Sequence, residues 1–288
     1  MRLTLNKIHL YFHTIRYLTT KQILYRLVYL IKRKYYCKLK INNINKKLGA
    51  KEEPKSVNDI YLEDDKIKHY NFSHEKLLSN NFTFLNQTIS FGNIVDWHYT
   101  PLNQGTRLWK LNLNYHEYLI DIAKLYKNTQ NKKYLNYIQN HIKEWWYQNP
   151  FGTSEYYKDN WNAYAVSLRT MAWIKIYQLI NNAFEYEFEK YFLHSLKIQL
   201  NYLINNLELD IKGNHLLENG FALMFGAYFF KDKHLYNKAK KLLYKELEEQ
   251  ILADGGHFEL SPMYHQAMLY RVLDCFNLVK NNSYFNHE

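Results

Sequence analysis

Residues 213–230 read GNHLLENGFALMFGAYFF, and the second half of that stretch decides the fold. From Phe221 to Phe230 every side chain is small, apolar or aromatic, and no charge falls on any face. A helix that is apolar all round is packed on both sides. Two concentric layers of antiparallel helices, an α/α toroid, provide such an environment. A single-layer solenoid is the alternative, but no repeat of fixed period is visible in the sequence.

Outward from this helix the same periodicity continues. Apolar residues recur at spacings of three and four over residues 111–122, 134–146, 163–179, 191–204, 235–251 and 263–279. The pattern predicts about seven helices of roughly 15–20 residues from residue 103 onward, joined by short polar links such as NTQNK at 128–132. Residues 42–95 differ. They are rich in Asn, Lys, Asp and Glu, are broken at Pro54, and hold two alternating pieces, 82–85 and 88–91, that predict short strands. The expected architecture is all-α, an incomplete (α/α) toroid over residues 96–288, preceded by a basic helical N-terminal arm and connector over 1–95.

The 288 residues carry 38 Lys and Arg against 27 Asp and Glu, a formal net charge of +11. Residues 1–51 hold 13 of those cations and none of the acids, which leaves 25 cations against 27 acids in the rest. A general attraction to polyanions therefore does not follow from the total. With 9 Gly and 4 Pro the chain is neither collagenous nor low-complexity, and 28 Tyr, 16 Phe and 6 Trp exclude a disordered one. The two cysteines, Cys37 and Cys275, make no disulfide framework. No apolar run is long enough to span a bilayer.

In the arm, Ile23, Leu24, Leu27, Val28, Leu30 and Ile31 are interrupted by Lys21, Arg26 and the run Lys32-Arg33-Lys34. Arg26 splits the apolar stretch and no small-residue cleavage site follows, so the segment does not read as a secretory signal. It predicts one or two short helices broken near Thr19-Thr20. They either pack on the body with cations outward or lie on an anionic membrane through residues 1–40. No recognition module supports nucleic-acid binding. The expected location is cytoplasmic or at the inner membrane face.

Two segments break the amphipathic rule. In NHLLENG (214–220), Asn214 is a candidate N-cap, and His215 and Glu218 share a face leading into the most apolar helix of the chain. An ordinary capped helix would look similar. In EQILADGGHFELSPMYH (249–265), Gly255-Gly256 makes a tight loop and Ser261-Pro262 opens a helix. A well-built turn explains those four residues. It leaves His257, Glu259, Tyr264 and His265 unexplained.

These two motifs, with LWKLNLNYHEYL at 108–119, NWNAYAVSLRTMAWIKIYQLI at 160–180 and IRYLTTKQILYRLVYLIKRK at 15–34, closely resemble the N-terminal toroid domain of heparinase II/III-like polysaccharide lyases, a group similar to oligoalginate lyases. The resemblance implies β-elimination on a uronic-acid-containing, anionic polysaccharide. That chemistry needs a group to neutralise the substrate carboxylate, one to take the C5 proton and one to protonate the departing C4 oxygen. By the same resemblance Tyr264 is the general acid/base, Asn214 and His215 neutralise the carboxylate, and Glu218 supports them. His257 and His265 are further candidates for binding substrate, as are Arg169 and Trp161, a cation and a stacking platform on a matched helix.

Members of the family continue into a β-sandwich that carries a further catalytic His and usually a structural metal. The sequence to Glu288 has no all-β segment, so no cofactor or metal is expected in this chain. The resemblance implies a cleft between the two domains, so full activity is expected to need both. The alternatives are a glycan-binding or inactive toroid, and a glycoside hydrolase built on Asp254 and Glu259.

Overall fold

The computed structural model describes residue 13 and residues 16–36, 73–101, 106–151 and 159–285. Helix α1 spans Thr20–Tyr36, starting at the break expected near Thr19-Thr20. A short helix α2 (His74–Leu78) precedes a hairpin of β1 (Asn81–Phe84) and β2 (Gln87–Ser90), with Asn81 opposite Ser90 and Phe84 opposite Gln87. Leu85 and Asn86 join the strands at φ 51° and 60°, as a two-residue hairpin turn requires. The two predicted strands are therefore present, shifted by one residue.

Eight further helices follow: α3 (Thr106–Tyr115), α4 (Tyr118–Thr129), α5 (Lys132–Gln148), α6 (Ala163–Ile180), α7 (Tyr186–Asn205), α8 (Gly213–Phe230), α9 (Lys233–Gln250) and α10 (Pro262–Asn281). Their starts are written locally. The side chains of Asn131, Asn162, Asp232 and Ser261 each accept from a backbone N–H of the turn they open. The one helix expected over 111–122 is split between two, because His116 between α3 and α4 has φ +60°, which no helix continues through.

Helices α4, α6, α8 and α10 touch in succession, and each consecutive pair α4–α5, α6–α7 and α8–α9 also packs together. This is a double layer, with α4, α6, α8 and α10 in one tier and α5, α7 and α9 in the other. Helices α6 and α8 sit where the layers meet and bury residues on every side, as the all-round apolar pattern required. Glycine makes the close approach possible. A Cβ on Gly226 of α8 would lie 2.5 Å from Leu200 Cδ1 of α7, and one on Gly220 would lie 2.7 Å from Leu243 Cδ2 of α9.

Trp97, Trp109, Trp145, Trp161 and Trp173 are wholly buried. The hairpin closes over this aromatic core, with Phe84 edge-on to Trp109 at 5.2 Å and Phe82 to Tyr118 at 5.3 Å. His116 lies among Trp97, Trp145 and Trp173, and its Nδ1 accepts the Trp173 indole N–H at 3.1 Å. Burial holds its pKa well below the usual imidazole range, so it is a neutral packing element.

Helix α1 docks on the far end of α7. The Tyr29 hydroxyl donates to the Leu207 carbonyl, Lys32 Nζ to Asn205 O at 3.1 Å, and Gln22 Nε2 to Ile211 O at 3.3 Å. Side chains of the arm thus satisfy carbonyls that the end of α7 and its exit loop leave without helical partners.

Candidate active site

The site is built on the first two turns of α8 and the loops that meet them. Leaving α7, the chain passes Glu208, only 5% exposed. Its backbone N–H donates to Asn219 Oδ1 at 2.8 Å, and its Oε2 accepts from Asn219 Nδ2 at 3.2 Å. Asn219 therefore clamps the loop to α8, and it also donates to Ser167 Oγ of α6 at 3.1 Å. So held, Glu208 presents Oε1 to His215 Nδ1 at 3.1 Å. Burial disfavours protonation of His215, but the Glu208 hydrogen bond, then the charges of Glu208, Glu259 and Glu218, outweigh it and raise its pKa. The Tyr164 ring packs on the imidazole at 4.5 Å between centroids.

One turn on, Glu218 is 2% exposed and its Oε1 accepts from Arg271 Nε of α10 at 3.0 Å. Arg271 also donates from a terminal guanidinium nitrogen to Glu117 Oε1, at the start of α4, at 2.6 Å. This buried triad ties three helices of one tier together. Burial raises the Glu218 pKa, which Arg271 offsets only in part, and its Oε2 has no hydrogen-bond partner among the described residues. Tyr115 and Tyr164 pack edge-on at 5.8 Å. Burial first, then the nearby carboxylates, keep both hydroxyls protonated far above neutral pH.

The second motif is pinned to the first. Gln250, at the end of α9, donates to Gly213 O at 3.0 Å and accepts from His257 Nε2 at 3.1 Å. Glu259 Oε1 accepts the Asn214 backbone N–H at 3.1 Å. Gly213 has φ +60°, a conformation that favours glycine, and a Cβ there would lie 2.8 Å from that same carboxylate oxygen, so a side chain at 213 would displace Glu259. Gly255, at φ +83°, turns the loop that brings Glu259 back. Ser261 then caps α10, with Tyr264, 37% exposed, and His265 in its first turn. Tyr264, Met268, Arg271, Cys275 and Leu278 recur at spacings of four and three, so Tyr264 heads the helix face that buries Arg271.

Asn214 does not cap α8. The helix begins at Gly213, after Lys212 with φ +63°, and the cap for the Asn214 N–H is supplied by Glu259 from another loop. Asn214, His215, Glu218 and the loop leading to Tyr264 are brought together. His257 is 2% exposed, is lowered in pKa by burial, and serves as a strut between the loop and Gln250.

Arg169 and Trp161 are placed apart as packing elements. Arg169 has no exposed surface, stacks 3.8 Å over Trp145, and donates to Gln199 Oε1 and Asn114 O. A guanidinium so enclosed reaches no sugar carboxylate in this arrangement. Trp161 is equally buried and donates to Asn149 O at 3.2 Å. It also borders a cavity of about 130 Å³ between α1 and the toroid, lined among others by Tyr29, Lys32, Arg107, Asp159 and Glu208.

Sequence reading missed Glu208, Glu117, Arg271, Tyr115 and Tyr164. Arg271 alone had a local signal, a single cation on an otherwise apolar helical stripe. Among the described residues no group of three or more His, Cys, Asp or Glu is placed to hold a metal ion, and no helix is long and apolar enough to cross a membrane. The local charge is acidic, with Glu117, Glu208, Glu218 and Glu259 set against Arg271 and His215.

Residues 4–287 match the family model of the heparinase II/III N-terminus. The chain is 24% identical over 254 residues to a heparin-sulfate lyase of Bacteroides stercoris, covering 79% of this chain and 35% of the relative. It is 30% identical over 200 residues to a heparin-sulfate lyase of Pedobacter heparinus, covering 66% of this chain and 29% of the relative. The chain thus spans about a third of the length of these curated relatives. Among solved structures, heparan sulfate lyase HepC from Pedobacter heparinus aligns with a TM-score of 0.57 at 25% identity, over 72% of this chain and 33% of that one. A heparinase III structure aligns with a TM-score of 0.64 at 19% identity, over 92% of this chain and 42% of that one, a likeness of fold.

Proposed function

The chain belongs to the heparinase II/III N-terminus family, and on that premise we propose that it is the helical part of a lyase that cleaves a uronic-acid-containing polysaccharide by β-elimination. One observation carries the reading. The chain uses a cross-loop carboxylate, a glycine at positive φ and a buried glutamine to lock the start of α8 to the loop that launches Tyr264.

His215, with its pKa raised by Glu208, carries more positive charge near neutral pH than a free imidazole. It can hold the substrate carboxylate while the Asn214 amide donates to it, and charge developing on that carboxylate as C5 loses its proton is stabilised most in the transition state. Proton exchange with the sugar falls in this reading to Tyr264, partly exposed in the first turn of α10. The acidic surroundings mean that an anionic glycan is not drawn in by bulk charge. It is held by a few donors, and it faces repulsion wherever its carboxylate is out of register with His215.

Heparan sulfate is the first substrate to supply, because the matched solved structure from Pedobacter heparinus is named for it. Its cleavage by elimination creates an unsaturated uronate that absorbs in the ultraviolet. The gene product carrying Tyr264→Phe is expected to lose at least ~10²-fold in turnover, the usual scale of proton-transfer catalysis. Equal turnover by Tyr264→Phe and wild type would remove Tyr264 from the mechanism. Cleaved product without ultraviolet absorbance would replace elimination by hydrolysis.

A further inference from the structure

The N-terminal helix α1 shows two opposed faces. Gln22, Tyr29 and Lys32 bond to the α7 exit loop, so that side is fixed to the body. On the opposite side Leu24, Leu27, Leu30 and Ile31 stand 57%, 54%, 61% and 67% exposed. At about 100° per residue these four occupy one arc of roughly 120°, and Lys21 and Arg26 fall on its two borders. Both border cations are exposed.

A row of four aliphatic side chains facing water is not explained by packing of the described residues. Nor does it serve the site, since the helix reaches the Glu208 loop only through its other face. The charge pattern limits what could cover it. Residues 1–51 hold 13 Lys and Arg and no Asp or Glu. An exposed aliphatic strip bordered by Lys21 and Arg26, in a stretch of sequence without acids, matches a surface that is apolar beneath and anionic on top.

We propose that the outer face of α1 docks on an anionic lipid bilayer, Leu24, Leu27, Leu30 and Ile31 entering the acyl boundary while Lys21, Arg26 and neighbouring cations meet the headgroups. The helix then lies parallel to the membrane with the toroid held on its solvent side. This is a peripheral attachment and needs no spanning segment.

Co-sedimentation with vesicles tests it, using the whole chain and vesicles of phosphatidylcholine alone or mixed with phosphatidylglycerol at about three to one, at about 0.15 M salt, where exposed charges are screened beyond ~8 Å. Wild type is expected to pellet with the anionic vesicles and to stay in solution with the neutral ones. The variant Leu24→Ser, Leu27→Ser, Leu30→Ser and Ile31→Ser alters only exposed side chains, and its fold is checked by circular dichroism. It is expected to lose at least ~10-fold in partitioning, and Lys21→Gln with Arg26→Gln to lose roughly 30-fold, since each of the two cations near an anionic surface contributes on the order of 1 kcal/mol.

Equal pelleting of wild type and the four-serine variant would overturn the proposal, as would a wild type that ignores anionic vesicles. A wild-type dimer that the four substitutions make monomeric, with no vesicle binding, would assign the face to a second copy. None of these outcomes depends on lyase activity.

Discussion

Replacing Arg271 by Met tests whether the site is organised by its buried ion triad. Met keeps the length and apolar stem of the side chain while removing the charge. Glu117 and Glu218 are 8% and 2% exposed, and both lose their bond to the guanidinium. Removing one member of a buried ionic network costs about 3–5 kcal/mol, because the remaining charge is left without compensation. Against a total stability of about 5–15 kcal/mol, that is a large fraction.

The loss has a pH signature. Burial already raises the Glu218 pKa above its ordinary value, so the folded state holds that proton more tightly than the unfolded one. Stability tied to a raised carboxyl is complete below the unfolded pKa of about 4.3 and is lost as pH rises through the folded value. Without Arg271 the folded value moves higher still. Arg271→Met is therefore most destabilised at neutral pH and recovers toward wild type on acidification. Urea unfolding followed by far-ultraviolet circular dichroism at about pH 5 and about pH 7.5 measures both effects. Adding Glu117→Gln and Glu218→Gln to Arg271→Met should restore at least half of the loss at neutral pH. A destabilisation under ~1 kcal/mol at both pH values, or one that acid does not relieve, would refute the reasoning.

Three other outcomes follow from the geometry. Glu208→Gln removes the carboxylate that raises the His215 pKa and leaves burial, which lowers it, so NMR titration should show His215 deprotonating at lower pH than in wild type; an unchanged midpoint would show that Glu208 is not its partner. The same variant should keep turnover only at more acidic pH, because the cationic imidazole disappears earlier as pH rises. Gly226→Ala sets a methyl 2.5 Å from Leu200 Cδ1 and should destabilise the fold by about 1–3 kcal/mol in the same urea assay, an effect absent if α7 and α8 can separate freely.

The parts legible in sequence were those whose cause is local. The Ser261-Pro262 start of α10, the hairpin at 81–90 and the all-round apolar character of α8 each depend on residues within a turn or two. The Asn214 cap was misread because its acceptor, Glu259, lies 45 residues away and reaches it only after Gly255 turns the loop. Glu208 has no local mark at all. It is one acid in an exit loop until Asn219 clamps it, and only then does it face His215. Arg169 and Trp161 looked available as a cation and an aromatic ring on a matched stretch, yet the two-layer packing buries Arg169 within α6 and Trp161 just before it. Periodicity reports that a side is buried. It does not report which polar side chains are folded into that burial with their partners.

The triad also sets an order in time. Arg271 follows Glu218 by 53 residues and Glu117 by 154, so both acids leave the ribosome before the cation that neutralises them. A nascent chain that already packed α4 against α6 and α8 would bury two unpaired carboxylates, and that intermediate is penalised until α10 arrives. The tier containing the site is thus expected to close last and all at once. Ribosome-bound chains in which α10 is still within the exit tunnel should stay protease-sensitive around Glu117 and Glu218, while chains extended far enough for residue 281 to emerge become resistant. Resistance appearing before α10 emerges would show that the acids are accommodated without it.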